Sequence, residues 1–247
     1  MKRILLSALA ALLCCAAAYA AGDDTETDAS YGAVVDVDWK VAKGLHLNAE
    51  TEARMQDAWS NMERWTLCLG TDYRLTSWLK AEMGYEFLNR YKPSHLTSAG
   101  NTLNGYWSPR HRWKGGLSGQ LKVGRWELSL RERYQYTYAP LQYVPKYQPD
   151  GKRLTDEAKE DSHEHLLRSR LQAKYNIRHC KFTPAVSLEL HNDLSEGMSL
   201  AELRYVVGGD YKLDKHNSLL LHCRYEQHMN EGSNDAVVIL LGYSYSF

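Results

Sequence analysis

The chain ends with the twelve residues AVVILLGYSYSF, from Ala236 to Phe247. Large apolar residues occupy every second position of this stretch. Such a period of two is typical of a β-strand, in which successive side chains point to opposite faces. Soluble proteins seldom expose so much apolar surface, so the pattern predicts a final strand with one face against lipid. The residues on that face are Val237, Ile239, Leu241, Tyr243, Tyr245 and Phe247.

The same alternation runs through the chain in segments of about ten residues. In GLHLNAETEAR (44–54), for example, Leu45 and Leu47 alternate with His46 and Asn48. Eleven such segments can be counted between residues 31 and 247. Strands of about 9–11 residues are long enough to cross a membrane with tilt.

The connections between these segments alternate in length. Short connections such as 42–44 are followed by long ones such as 55–62, and the longest, 139–163, contains three prolines and many charges. Short turns at one end and long outer loops at the other are typical of membrane barrels. We therefore predict an all-β fold, an antiparallel up-and-down transmembrane β-barrel of 10–12 strands. Twelve is favoured over the eleven counted, because bacterial single-chain barrels usually have an even number.

The front of the chain predicts secretion. Lys2 and Arg3 precede an apolar run, and Ala18-Tyr19-Ala20 is a small-x-small cleavage site. We expect a signal peptide at 1–20, a flexible segment at 21–30 and an outer-membrane β-barrel at 31–247. The three cysteines beyond the signal peptide have no spacing that would indicate a disulfide framework or a zinc site.

Composition narrows the class of protein further. Lys plus Arg and Asp plus Glu both number 30, so no net charge favours nucleic acid as a partner. The mean hydropathy of −0.52 is too low for a helical membrane protein. The chain has 17 Tyr and 7 Trp but only 3 Phe, which suits a surface with one apolar and one wet side.

Trp39 and Trp126, close to short turns, are candidates for the periplasmic aromatic girdle. We assign Tyr134 and Tyr136 to the lipid-facing set as well, and place Glu132, which interrupts it, near the wet end of its strand.

The aromatic ending resembles the C-terminal assembly signal of outer-membrane proteins. In that signal, a terminal Phe and aromatics at alternate positions are read by the barrel-assembly machinery, and here they would be Tyr243, Tyr245 and Phe247. The resemblance implies the cell outer membrane as location, with lipid and the assembly machinery as partners. A soluble secreted β domain is the alternative fold, since its strands also alternate.

The order of several motifs resembles a family of Gram-negative outer-membrane barrels, the domain-of-unknown-function family 2490. The resemblance covers essentially the whole mature chain and implies an outer-membrane barrel, but no catalytic residues. The matching pieces are ETEAR (50–54), KAEMGYEF (80–87), RHRW (110–113), RERYQY (131–136), LRSRLQAKYN (167–176), TPAVSLELHND (183–193), RYVVGGDYKL (204–213) and GYSYSF (242–247).

The polar faces of the strands carry interleaved charges of both signs. They are expected either to fill a narrow lumen as a lattice of ion pairs, or to line a narrow porin-like conduit and set its selectivity. The lumen-lining candidates are Glu50, Glu52, Arg54, Glu82, Glu86, Arg110, Arg112, Glu127, Arg131, Arg133, Arg168, Arg170, Glu189, His191, Arg204, His222, Arg224 and Glu226.

Two stretches of the sequence contain residue types that could form a metal site or a catalytic site. In HCRYEQH, His222 and His228 lie six residues apart, roughly 20 Å along a strand, which is too far to share a metal ion. An outer-membrane lipid-modifying hydrolase would need a nucleophile beside a base, for which the only fragments are His191-Asn192-Asp193 with Ser195, and Ser162-His163. No G-x-S-x-G context accompanies them. We therefore predict no catalytic, metal or cofactor site, and enzymatic activity is not expected.

Overall fold

A computed structural model describes residues 28–56, 61–229 and 234–247. The predicted signal peptide lies outside these residues, as does most of the predicted flexible segment. Strand β1 begins at Asp28, so the last three residues of that segment belong to the barrel. Within the described residues, no helix has the length and hydropathy of a membrane-spanning segment.

Eleven long strands form one closed barrel. The prediction of an all-β barrel is confirmed, but the preference for twelve strands is wrong. The barrel strands are β1 (Asp28–Ala42), β2 (Leu45–Gln56), β3 (Asn61–Arg74), β4 (Leu79–Lys92), β7 (Tyr106–Val123), β8 (Trp126–Ala139), β12 (Ser162–Tyr175), β13 (Phe182–Asp193), β14 (Ser199–Lys212), β15 (Asn217–His228) and β16 (Ala236–Ser246); the short strands β5 (His95–Leu96), β6 (Thr102–Leu103), β9 (Gln142–Val144), β10 (Lys146–Tyr147) and β11 (Glu157–Lys159) lie between them.

The prediction of a purely antiparallel barrel is also wrong, because β1 and β16 pair in parallel from Asp28↔Ala236 to Asp38↔Ser246. With an odd number of strands joined by hairpins, the first and the last run in the same direction. Parallel pairing is then what removes the two open sheet edges.

The polarity of the two faces of the barrel wall is the reverse of that in a soluble protein, with apolar residues outside and charged residues inside. Met83 on the outer face is 67% exposed, whereas Arg54 and Glu189 on the inner face are only 2% and 3% exposed. In the last strand, Leu241 and Tyr243 lie outside, and Val238 is fully buried inside. Apolar residues outside and charges inside argue against a secreted soluble domain.

All the short connections lie at one end of the barrel, where Gly44 and Gly124 adopt φ values of 80° and 61° in tight turns. At the opposite end, the two longest loops contain short strands. Strands β5, β6 and β10 form one small sheet, and β9 and β11 form another. Leu103 and Val144 are 0% and 1% exposed within these loops. The loops therefore have an apolar core of their own and form an ordered cap.

Aromatic residues are found on the outer face near both ends. Trp126 packs on Tyr175 at the short-turn end, with ring centroids 4.8 Å apart. Near the long-loop end, Trp113 stacks on Tyr136 at 5.6 Å. Trp39 is also exposed on the outer face beside a short turn.

The expected position of Glu132 near a wet end of its strand is wrong. Glu132 faces outward in the middle of β8, opposite Leu117 and Ser169. The Ser169 hydroxyl donates a hydrogen bond of 2.6 Å to its carboxylate. The expectation was wrong because β8 extends beyond Glu132 for a further seven residues, to Ala139.

Candidate functional site in the barrel lumen

The structure places the predicted lumen residues on the inner face of the strands. Register explains this: Arg168 lies opposite Arg133, Arg170 opposite Arg131, and Glu226 opposite Arg204. Cross-strand partners in a sheet share a face, so each pairing brings charges together within the lumen.

Glu226 is the centre of one cluster. Its side chain is 8% exposed and accepts two contacts of 3.4 Å from the Arg54 guanidinium. Arg204 and Arg224 lie 3.1 Å and 3.3 Å from the same carboxylate. Arg54 also donates from Nε to Glu52 at 2.6 Å. Three guanidinium groups thus share one buried carboxylate.

A second cluster is centred on Glu189. This carboxylate accepts 2.8 Å hydrogen bonds from Arg168 Nε and His191 Nε2, and Arg131 lies 3.0 Å away. His191 Nδ1 is also 3.5 Å from Glu202, so its ring joins two carboxylates. Arg204 contacts Glu202 at 2.7 Å, which connects the second cluster to the first.

The network continues on the other side of the barrel. Arg133 Nε donates to Glu82 at 2.7 Å, and Arg131 lies 3.9 Å from the same carboxylate. On β4 and β7, Glu86 binds Arg112 at 2.7 Å and also contacts Lys114. The ion pairs extend from β2 through β15, β14, β13, β12 and β8 to β4. Only long arginine side chains allow such contacts across a lumen.

Inner-face side chains occupy the long-loop half of the lumen. The side chains there are almost fully buried, including Gln135 at 2% and Leu240 at 4% exposure. Gln135 accepts a hydrogen bond of 2.8 Å from Arg168 Nη1. Arg168 and Glu189 are each held by more than one partner, as burial of charge requires.

The other half of the lumen contains a cavity of about 560 Å³. Its wall includes Asp72 and Lys80, which face each other at 3.5 Å close to the short turn between β3 and β4. The Lys80 side chain is 41% exposed, so the cavity meets solvent at this end. We call this cavity the lumen chamber.

Some lumen residues were absent from the predicted set. Glu202 lies two residues from Arg204 on β14, and Gln135 lies two residues from Arg133 on β8. Residues two apart on a strand share a face, so alternation alone could have predicted both. The buried pair Ser30 and Glu63, with a hydrogen bond of 2.9 Å, carried no such signal because Glu63 lies beside the β2–β3 bulge.

The fragments considered for catalysis are not brought together in the structure. His191 is 4% exposed and held by carboxylates in the lumen, whereas Ser195 lies in a loop and donates its backbone N–H to Asp193. His163 lies on the outer face, where Tyr136 contacts its Nδ1 at 2.7 Å. Among the described residues, no group of three His, Cys, Asp or Glu side chains is placed to hold a metal ion.

Two solved structures have a similar fold. The β domain of the Bordetella autotransporter BrkA is 13% identical, with a TM-score of 0.57, and the match covers 85% of this chain and 86% of that one. The translocator domain of the autotransporter NalP from Neisseria meningitidis is 14% identical, with a TM-score of 0.54, over 77% of this chain and 72% of that one. Identities this low relate the folds alone.

No curated protein matches the sequence. The model of a family described as "Protein of unknown function (DUF2490)" matches residues 34–237, which is most of the barrel. The resemblance noted in the sequence is thereby confirmed, and the chain belongs to the DUF2490 family.

Proposed function

We propose that this chain is an outer-membrane β-barrel whose lumen is closed to free diffusion at the long-loop end and open as a polar chamber at the short-turn end. Of the two expected roles, the arrangement favours a closed barrel over an open porin-like conduit. The observation that carries this proposal is the continuous ion-pair network around Glu226 and Glu189.

A membrane location accounts for the inverted faces. Backbone groups in hydrocarbon must be paired internally, and a closed barrel provides that pairing. The apolar outer face and the aromatic residues near both ends match the surface that a bilayer requires. The autotransporter domains with a similar fold support the outer membrane in particular. Recovery of the natural protein as a soluble periplasmic species would contradict this location.

The closed lumen follows from the way its charges are paired. An ion crossing the level of Arg54 would have to displace a guanidinium that is bound to both Glu52 and Glu226. Moving it would leave charge unpaired in a confined space, which costs several kcal/mol per ion.

Planar-bilayer conductance tests the proposal. The wild-type protein is expected to give no steady ion-sized steps. The double variant Arg54→Ser/Arg204→Ser, which removes two guanidinium groups from the Glu226 cluster, is expected to conduct. Arg74→Ser, an exposed arginine at the short-turn end, is the matched control and should stay closed. Heat-modifiable migration on a gel verifies that each variant is folded. Steady conductance of the wild type would refute the closed lumen.

A further inference from the structure

Four arginines form a compact group on the wall of the lumen chamber. Arg131 and Arg133 on β8 lie opposite Arg170 and Arg168 on β12, on the same inner face. Cross-strand neighbours are about 5 Å apart at Cβ, so like charges placed this way repel one another. An arrangement of four cations persists only where enough negative charge compensates them.

The carboxylates around the group compensate it incompletely. Glu189 binds Arg168 and Arg131, and Glu82 binds Arg133. Arg170 lies opposite Glu189 in the register, yet forms no hydrogen bond or ion pair in the part of the chain that the structure describes. The Nε atoms of Arg170 and Arg131 are both buried without a hydrogen-bond partner. Two buried donors of the group are therefore without a hydrogen bond to the described residues.

The chamber wall as a whole is rich in charges of both signs. Ten cationic and eight carboxylate side chains line it, and two of the cations, Arg204 and Arg224, also bind Glu226, which is not part of the wall. One of the carboxylates, Glu50, faces the chamber and forms no ion pair with a described residue.

We infer that the lumen chamber binds a small soluble phosphate dianion, either inorganic phosphate or a phosphate monoester, with Arg170 as the residue that contacts it and with Arg131 and Arg133 beside it. A dianion would balance the four arginines, whose ion-pair partners among the described residues are only two carboxylates, Glu189 and Glu82. Guanidinium groups bind phosphate through paired N–H donors, which would give the two buried donors a partner. A cavity of about 560 Å³ has room for a phosphate and a small organic substituent.

The site rests on the proposed function in one respect, the polar chamber that opens at the short-turn end. The ligand would enter from that end, since the other half of the lumen is filled by buried side chains. The barrel wall separates the chamber from lipid, so the phosphate comes from a soluble molecule and not from a lipid headgroup. The site does not depend on whether ions cross the barrel.

Isothermal titration of the full chain, folded in detergent at low ionic strength, tests the inference with inorganic phosphate as the probe. We expect saturable binding at one site, with sulfate as a weaker competitor and acetate without effect. Arg170→Gln should weaken phosphate binding by about tenfold, because one charge-assisted pair is lost. Since Arg170 takes no part in an ion pair, this variant is expected to fold, and heat-modifiable migration checks that it does.

Lys122→Gln is the matched control. It removes the same charge from an exposed side chain at the short-turn end, 3.5 Å from Glu127 and outside the chamber wall. Phosphate binding should change by less than about twofold, as expected for a screened surface charge. If both variants weaken phosphate binding equally, phosphate is attracted to positive charge in general, and the proposed site is refuted. The absence of saturable binding would refute it as well. The two proposals can fail separately. If the protein conducts ions in bilayers but still binds phosphate in a way that depends on Arg170, the closed lumen is refuted and the phosphate site is supported.

Discussion

The guanidinium of Arg54 contacts the Glu226 carboxylate at 3.4 Å, although 172 residues separate them in the sequence. Two strands, β1 and β16, lie between the strands that carry them. The contact therefore fastens the region of the barrel where its first and last strands close in parallel.

Replacing Glu226 with Gln is expected to lower the free energy of unfolding by about 3–5 kcal/mol, because three buried guanidinium groups lose their shared carboxylate. Urea unfolding of the barrel in lipid vesicles measures the change. Glu127→Gln is the control, since its partner Lys122 is 73% exposed and such pairs contribute little. A loss below 1 kcal/mol for Glu226→Gln would contradict the central role of this cluster.

Glu132 is expected to destabilise the barrel in a membrane, because its carboxylate faces outward at the middle of β8. Replacement with Leu should raise the free energy of unfolding in vesicles by on the order of 1 kcal/mol. Ser169→Ala, which removes only the hydroxyl bonded to that carboxylate, should give no gain. If Glu132→Leu instead destabilises the protein, the hydrogen bond from Ser169 contributes more than the outward-facing charge costs.

Two adjacent glycines in β7 should respond differently to alanine. A Cβ on Gly116 would lie 2.4 Å from the Glu132 carbonyl oxygen, whereas a Cβ on Gly115 would have nothing within 4 Å. Gly116→Ala is expected to cost about 1–3 kcal/mol of stability, because backbone must move. Gly115→Ala should leave stability unchanged or slightly raised. Equal effects in vesicle unfolding would show that β7 and β8 are less closely apposed.

The cap should weaken in acid through Glu157. Its carboxylate is bonded to Lys159 at 2.6 Å and Lys146 at 3.1 Å, and these hydrogen bonds lower the pKa of Glu157. A carboxyl whose folded pKa is depressed stabilises above its unfolded pKa, and this contribution is lost as the pH falls through the folded value. Amide protection in β9 and β11 is therefore expected to decline below about pH 4. Glu157→Gln should remove that dependence; an unaltered pH profile in the variant would assign the effect to another group.

Removal of Phe247 is expected to impair assembly more than stability. The ring is 64% exposed and packs edge-on against Tyr245, with centroids 4.7 Å apart. The backbone N–H of Phe247 bonds the Asp38 carbonyl at 2.9 Å, a contact that Phe247→Ala would keep. The fraction of heat-modifiable protein in the membrane should fall for both the deletion and Phe247→Ala. If the deletion impairs assembly but Phe247→Ala does not, the backbone hydrogen bond to Asp38 is needed for assembly and the aromatic ring is not.

Most of the wall could be predicted from the sequence. The alternation of Leu45 and Leu47 with His46 and Asn48 decides which face each residue takes, because side chains in a strand alternate wherever the strand lies. Glu132 shows the limit of this reasoning. Its outward direction followed from parity, but its depth depended on where β8 ends, and the sequence marks strand ends only weakly.

The sequence by itself determined the all-β class, the two faces of each strand and the aromatic terminal strand, since these depend on a local period of two. Tertiary structure alone decided the odd, parallel closure between β1 and β16 and the convergence of Arg54 and Arg204 on Glu226. It also left Arg170 without an ion-pair partner among the described residues. These features arise when strands far apart in the chain meet around one lumen, where the stagger of the closed sheet determines which side chains come within reach.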